Sequence, residues 1–377
     1  MHELILESRV QGRFYQSKGP EAEPALSRRR ALALALSVPV ALATRRVLAQ
    51  DTKVIRIGAG PTGGTDFLFG GLIGNAISNP PGSRECEKGG NCGVPGLIAV
   101  AQTTTGAVAN LQAVARGDLE MGLSQADAAS WVYAGSGPFA DAEPLSHLRV
   151  IARLYPATIH LVTRADSKIA SVANLKGKRV GIGEKGSATA ATAKQVLSAF
   201  GVHWDAVRLR ALEFTAIADA LATNKIDAMF MIGGVPVLAL EDLARRTPIK
   251  VVPIDGPIAD KLADVLPFYS RGVVPAGTYG GAADVPTLDV GSVLVARDSM
   301  DENLAFGIAQ AIWHVRNEAL FQNGHPSGKL MDRSEAALGV AMPLHPGAAR
   351  FYFSQGIVTP TDTQPAFLRG GAPGARS

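Results

Sequence analysis

Aromatic residues are scarce, 6% of 377, which argues against a stacking platform for nucleic acid. Long apolar runs are missing as well. The longest, an N-terminal stretch, is too short to span a bilayer, and no other segment reaches the roughly 18 uninterrupted apolar residues of a membrane helix. The seven histidines (2, 147, 160, 203, 314, 325, 345) include no pair at metal-ligand spacing and no His-Glu-x-x-His. There is no Gly-x-Ser-x-Gly elbow and no Walker loop. Nothing in the chain activates a nucleophile, so neither an enzyme nor a cofactor or metal is expected. Cysteine is limited to Cys86 and Cys92, six apart in the polar, Gly-rich loop Pro80–Pro95. Two thiols in C-x5-C with no nearby histidine are too few for a metal site. In an oxidising compartment a local disulfide is the natural outcome, with free thiols as the alternative.

Excess charge is also absent from the body of the chain. The net +4 belongs wholly to residues 1–49, which hold eight Lys/Arg against four Asp/Glu; the remainder has 29 of each sign. The basic pI is therefore no argument for nucleic acid. Residues 1–49 read as an export signal. Ser27-Arg28-Arg29-Arg30 precedes the apolar run Ala31–Ala43, and Val47-Leu48-Ala49 offers a small-residue cleavage site. The paired arginines suggest the Tat route, and the n-region is long. The expectation is a periplasmic protein cleaved near Ala49, with no stable membrane insertion.

What the chain has in abundance is glycine, 41 residues, and two clusters of it are patterned alike. Val54-Ile55-Arg56-Ile57 runs into Gly58, Gly60 and Gly63; Lys178-Arg179-Val180 runs into Gly181, Gly183 and Gly186. Each leads through a hydroxyl residue into a helix-like stretch, Asp66–Ile77 and Ala190–Phe200. Strand, glycine turn and helix start together present unpaired N–H groups to an anion. A second matched pair follows. In Ala113–Leu123 and Ala220–Phe230 a helix end and a turn lead to an acid, Glu120 or Asp227, entering a buried strand. The glycine turns are offset by 123 residues and these segments by 107. The difference falls where the cysteine loop sits, so one βαβαβ plan is used twice with an insertion in the first copy.

Strands are predicted at Val54–Ile57, Leu97–Ala101, Leu119–Leu123, Val150–Leu154, His160–Thr163, Arg179–Ile182, Val207–Leu212, Ala228–Ile232, Lys250–Pro253 and Val290–Ala296. Helix-length stretches separate most of them, which implies an α/β protein with mostly parallel sheets. His160–Thr163 leaves the first half and Val290–Ala296 returns to it. C-terminal helices are expected at Glu302–Phe321 and Ser334–Leu338. The lobes become 50–160 plus 292–377, and 161–291.

Five loops follow strand ends: Pro61–Thr65, Thr103–Ala107, Gln125–Asp127, Gly186–Thr189 and Gly233–Pro236. In open α/β sheets such loops line the ligand crevice. Their chemistry is neutral hydrogen-bond donation beside helix N-termini, suited to a carboxylate-bearing solute. Thr104, Thr105, Asn110 and Gln125 add side-chain contacts. Thr65, Thr105 and Ser187 serve equally well as helix caps. Tyr155 and Tyr279 stand near the lobe junctions; packing is the commoner role of such aromatics, and a place in the ligand wall is the alternative.

These residues bring a family into view. Ile57–Thr65, Gly106–Asn110, Gly117–Asp127, Gly135–Phe139, Val274–Tyr279, Asp284–Thr287 and Leu344–Tyr352 resemble the TAXI-type solute receptors of tripartite ATP-independent periplasmic (TRAP) transporters. The resemblance covers about residues 53–358. It implies a type II periplasmic-binding-protein fold, two α/β lobes closing on a small carboxylate, such as glutamate or a related acid, for a membrane permease. Matching positions imply ligand contact at Gly64, Thr65, Thr104, Thr105, Gly106, Ala107, Asn110, Gln125, Ala126, Gly186, Ser187, Ala188 and Thr189. Gly233 joins them through its strand-end loop. Two features depart from the family. Asp66 stands where many relatives carry an aromatic, and the Pro80–Pro95 loop is not general. An exported dinucleotide-dependent oxidoreductase, and a receptor for an ABC importer or sensor kinase, are the alternatives.

Overall fold

The computed structural model describes residues 52–357; the expected export signal lies outside them. In chain order the first half holds β1 (Lys53–Gly60), α1 (Thr65–Ile77), β2 (Ser78–Asn79), β3 (Val94–Pro95), β4 (Leu97–Thr103), α2 (Ala107–Arg116), β5 (Met121–Gln125), α3 (Ala126–Ala134) and the long β6 (Leu148–Arg164). The second half follows with β7 (Arg179–Gly181), α4 (Ala188–Ala199), β8 (Arg208–Arg210), α5 (Phe214–Ala222), β9 (Ala228–Gly233), α6 (Leu238–Arg246), β10 (Ile249–Val252), α7 (Gly256–Val265) and β11 (Tyr269–Val274). Then β12 (Val285–Arg297) returns the chain, ahead of α8 (Glu302–Ile312), α9 (Val315–Gly324) and α10 (Pro346–Ser354).

The two halves repeat one strand order. In the first, β1 pairs in parallel with β4 and β5, and β12 closes the group antiparallel to β5. In the second, β7 pairs in parallel with β8 and β9, and β6 closes it antiparallel to β9. β6 and β12 also pair with each other, joining both groups into a ten-stranded sheet. The central strands are covered on both faces, so β5 and β9 read as continuous buried runs and not as alternating ones.

The glycine turns match residue for residue. Gly60 and Gly63 take φ of 88° and 85°, and Gly183 and Gly186 take 76° and 80°, the left-handed region where a side chain is strained. The paired acids match too. Glu120 accepts from the backbone N–H and guanidinium of Arg56 at 2.7–3.0 Å. Asp227 accepts from the same groups of Arg179 at 2.5–3.1 Å. Each pair ties the first strand to the residue just ahead of the third, so both acids work as one structural device.

Several expectations change. The strands at Val150–Leu154 and His160–Thr163 are one, β6, and the third strand of the first half starts two residues later, at Met121. The helix expected over Glu302–Phe321 breaks in two, because His314 turns extended and its Nδ1 accepts from Arg316 N–H as a new cap. Ser334–Leu338 forms only a single 3₁₀ turn at Arg333–Glu335. Strand β11 and helix α10 are additions. The expected lobe boundaries, 160/161 and 291/292, fall inside β6 and β12, the two strands shared by both halves.

Cys86 and Cys92 form a disulfide. The fold overturns one premise here: His314, 228 residues along the chain, brings Nε2 to 3.8 Å from Cys86 Sγ. With both sulfurs bonded to each other, no thiolate is free to join it. No helix among the described residues is long and apolar enough to cross a membrane.

Candidate functional site

A cavity of about 70 Å³ opens where the strand ends of the two halves face one another, the scale of a few water molecules. The first half contributes Ala59–Pro61 from the glycine turn, Gly64–Phe67 at the start of α1, Thr105–Ala107 and Asn110 around the start of α2, and Gln125 at the end of β5. The second half contributes Gly183, Glu184 and Ser187–Thr189 ahead of α4, with Phe214 and Ile232. Three helix N-termini therefore meet at one cavity. Those of α1 and α2 carry no side-chain cap; at α1 the N–H groups of Gly64 and Phe67 donate to Pro61 O and Gly64 O at 3.2 Å, which leaves those of Thr65 and Asp66. At α4, Ser187 Oγ accepts from Ala190 N–H and leaves the two earlier N–H groups free. Their aligned dipoles favour an acceptor or anion between them.

Of the cap alternatives, only Ser187 is a cap. Thr65 is the first helical residue of α1, and its hydroxyl crosses to the other half, donating to Gly234 O at 3.2 Å. Thr105 lies before Gly106, which holds the cap position of α2.

The structure brings Gly64, Thr65, Thr105, Gly106, Ala107, Asn110, Gln125, Ser187, Ala188 and Thr189 into one lining. Thr104, Ala126, Gly186 and Gly233 stand outside it. Thr104 accepts from Gly60 N–H at 3.0 Å and donates to Asn110 Oδ1 at 2.6 Å. The Asn110 amide in turn donates to Gly58 O at 3.0 Å and Leu123 O at 2.8 Å. Asn110 is thus a clamp holding β1, β5 and the turn together, with its polar atoms already engaged. Gly186 lines a neighbouring pocket of about 200 Å³ with Lys185. At Gly233 a Cβ would sit 2.9 Å from Thr65 Oγ1, so the bare backbone admits the Thr65 crossing.

The sequence marks Asp66 as a departure from the family, an acid that suits the helix dipole or faces the cleft, and the structure places it in the cavity lining. Its Oδ1 accepts from Tyr155 OH at 2.5 Å and Ser292 Oγ at 2.9 Å, and its Oδ2 accepts from Gln125 Nε2 at 2.9 Å. Burial pushes the Asp66 carboxyl above its ordinary range, and the three hydrogen bonds pull it part of the way back. Burial, with the neighbouring carboxylate, pushes the Tyr155 hydroxyl well up, so it stays a donor. An acid as second residue of a helix bordering a strand-end loop is the one local signal for Asp66. Its partners, 59 to 226 residues away, are set by the fold alone. Glu184 and Phe214 were not expected in the lining.

Polar contacts also tie the halves together around the cavity. Thr192 of α4 donates to Asp127 of α3 at 2.6 Å, His325 Nε2 donates to Pro236 O at 3.0 Å, and Ser327 Oγ donates to Val235 O at 3.3 Å. His325 Nδ1 accepts from Ser327 N–H, which leaves the ring proton on Nε2 for Pro236.

Two halves of second–first–third strand order, each closed by a strand crossing from the other, define the type II periplasmic-binding-protein fold; the cavity lies at the carboxyl ends of its strands. The chain belongs to the NMT1-like family, whose profile matches residues 57–356. Among solved structures it is similar to the periplasmic aliphatic sulphonate binding protein of Escherichia coli, at 15% identity over 72% of this chain and 78% of that one, with a TM-score of 0.41. It is similar to an ancestral arginine-binding protein bound to arginine, at 13% identity over 73% and 98%, with a TM-score of 0.45. It is also similar to the alkanesulfonate-binding protein of Xanthomonas axonopodis pv. citri bound to MOPS, at 14% identity over 83% and 96%, with a TM-score of 0.43.

Proposed function

We propose that this chain is an extracytoplasmic solute receptor and not an enzyme. It captures a small carboxylate-bearing solute between its halves and delivers it to a membrane permease of the TRAP type. One observation carries this: three helix N-termini, two from one half and one from the other, border a single cavity lined by neutral hydrogen-bonding groups. A carboxylate there bridges both halves, so binding favours the closed arrangement over the open one. Gly64, Thr65, Thr105–Ala107, Gln125 and Ser187–Thr189 are the residues that would meet it. β6 and β12, the only covalent strands shared by the halves among the described residues, are the hinge in this scheme.

A dinucleotide-dependent enzyme has less support. That chemistry calls for an acid at the end of the strand after the glycine turn, to hold a ribose. Here those strands end in Thr103 and Arg210. Delivery to an ABC importer would use the same cleft, and the permease encoded beside the receptor distinguishes the two.

The test is mass spectrometry of the solute that co-purifies with the exported protein, followed by calorimetry with that solute. A small carboxylate bound one to one is the expected result. A nicotinamide or flavin nucleotide in its place would overturn the proposal.

A further inference from the structure

The cysteine loop carries chemistry that solute capture leaves unused. Cys86 and Cys92 are bonded to each other, and both are half-buried. His314 brings Nε2 to 3.8 Å from Cys86 Sγ. A disulfide sulfur has no hydrogen to give, so Nε2–H is the donor in this contact. The other side of the ring agrees. Nδ1 accepts from Arg316 N–H at 3.2 Å as the cap of α9, which keeps the single proton of the neutral ring on Nε2. One helix cap therefore aims an N–H at one sulfur of the pair.

The two sulfurs are not equivalent. Cys86 has the His314 N–H at its sulfur and the Arg316 guanidinium on its carbonyl oxygen. Of the acids nearby, Glu85 is paired with Lys88 at 2.9 Å, Glu87 is exposed to water, and Glu318 of α9 accepts from Gln322. Cys92 Sγ faces an acceptor instead, Gly90 O at 3.9 Å. A thiolate at Cys86 gains a donor and a neighbouring positive charge, whereas one at Cys92 meets a carbonyl oxygen. The thiolate with the lower proton affinity is the faster to leave. The two sulfurs and Nε2 lie within 4.8 Å of one another, yet a metal ion needs Nε2 bare, and the α9 cap holds a proton there.

We infer that Cys86–Cys92 is an exchangeable disulfide whose substrate is a thiolate, with Cys92 the sulfur attacked and Cys86 the sulfur that leaves. The incoming thiolate bonds to Cys92 Sγ, the S–S bond breaks, and its electron pair stays on Cys86 Sγ beside His314 Nε2–H. Where the substrate is a dithiol, its second thiolate attacks the incoming sulfur and releases Cys92. The dithiol is oxidised by two electrons to a disulfide, and its two protons end on Cys86 and Cys92. This site stands apart from the solute cleft, since neither cysteine nor His314 lines it.

The test compares the oxidised wild-type protein with His314→Asn. Asparagine is a good helix cap and is too short to reach Cys86, so the variant keeps α9 and loses the donor. Reduction is followed under excess dithiothreitol, and a brief pulse of glutathione, quenched with iodoacetamide, is mapped by peptide mass spectrometry. The expected map has glutathione on Cys92 and the alkyl group on Cys86, with reduction at least about threefold slower in His314→Asn. In Cys92→Ser the lone Cys86 thiol should titrate below the ordinary value of about 8.5. Absence of exchange, glutathione mainly on Cys86, equal rates in the two proteins, or an ordinary Cys86 titration overturns the inference. So does a rate independent of dithiol concentration, because exchange then waits on unfolding. The wild-type map decides the matter even where His314→Asn fails to fold.

Discussion

The carboxylate of Asp127 accepts the hydroxyl of Thr192 at 2.6 Å, across the two halves, with neither residue exposed to water. The same oxygen accepts from Tyr269 OH at 3.0 Å, and the other oxygen accepts from Ala128 N–H at 2.6 Å. Thr192 sits on the helix whose N-terminus borders the cavity, and Asp127 lies two residues beyond Gln125. The bond therefore fixes the distance between opposite walls of the site.

Thr192→Val keeps the shape and removes the donor. A buried acceptor stripped of one partner costs about 1–3 kcal/mol, so a melting temperature lower by several degrees is expected. Ligand affinity falls with it, because the lost bond bridges the two halves that the solute is proposed to join. Burial also pushes the Asp127 carboxyl above its ordinary range. The folded state then holds a proton that the unfolded chain releases at ordinary carboxylate pH. This contribution to stability is present at low pH and fades as pH rises through the raised value. Asp127→Asn should flatten that decline, measured as melting temperature against pH from 4 to 7. An Asp127→Asn curve parallel to the wild type would show that Asp127 is not the group responsible.

His160 acts in the opposite sense. It is fully buried on β6; Nδ1–H donates to Thr158 O at 2.9 Å, and Nε2 faces Tyr279 OH at 3.3 Å. The Tyr279 oxygen already accepts from Val237 N–H at 2.7 Å, so its own proton is free for the imidazole. Burial pushes the imidazole down to about 4, against hydrogen bonds to the backbone that act the other way. Between about 6.5 and 4 the unfolded chain takes a proton that the fold refuses, so stability falls as pH drops through this window. The gap corresponds to at most about 3 kcal/mol. His160→Gln, which supplies a donor and an acceptor without titrating, should lose less stability between pH 7 and 4.5 than the wild type. Equal losses in a denaturant titration would remove His160 from the acid response.

The duplicated plan was legible because its signals are local. Glycines at fixed spacing after a strand, and an acid opening a buried strand, each need only a few neighbouring residues. Arg56 and Arg179 complete the device, and their position two residues ahead of Gly58 and Gly181 was visible though unused. The site was legible as loops but not as chemistry. Asp66, Gln125, Tyr155 and Ser292 come from α1, β5, β6 and β12, and only the order of strands in the sheet brings them together. His314 beside Cys86 is hidden for the same reason. The break at Trp313–His314 and the short turn at Arg333–Glu335 escaped because apolar periodicity continues through them, while capping by a histidine is a weak sequence signal.

The disulfide belongs to stability and not to the site. No residue of Pro80–Pro95 lines the cavity. Closing a loop as short as Cys86–Cys92 restrains the unfolded chain by about 2 kcal/mol. The double variant Cys86→Ser, Cys92→Ser should melt lower by several degrees in calorimetry and bind solute as the wild type does. A large loss of affinity at unchanged stability would place the loop in the binding mechanism instead.

Gly58 and Gly181 hold equivalent places in the repeat but are not equally replaceable. A Cβ at Gly58 would lie 2.5 Å from Asn110 Oδ1 and 2.7 Å from Leu119. A Cβ at Gly181 would meet Ile217 at 2.6 Å and Ile226 at 2.9 Å. The isoleucine side chains hold no hydrogen bonds and can shift at modest cost, whereas the Asn110 amide is pinned by Gly58 O, Leu123 O and Thr104. Both Gly→Ala variants overpack a full core and should cost about 1–3 kcal/mol. Only Gly58→Ala displaces the clamp that sets Thr104, Gly60 and the start of α2 against the cavity. Its affinity for solute should therefore drop by tenfold or more, with Gly181→Ala within a few-fold of wild type when both are measured by calorimetry well below their melting temperatures. Equal losses of affinity in the two would mean that the Asn110 clamp does not shape the site.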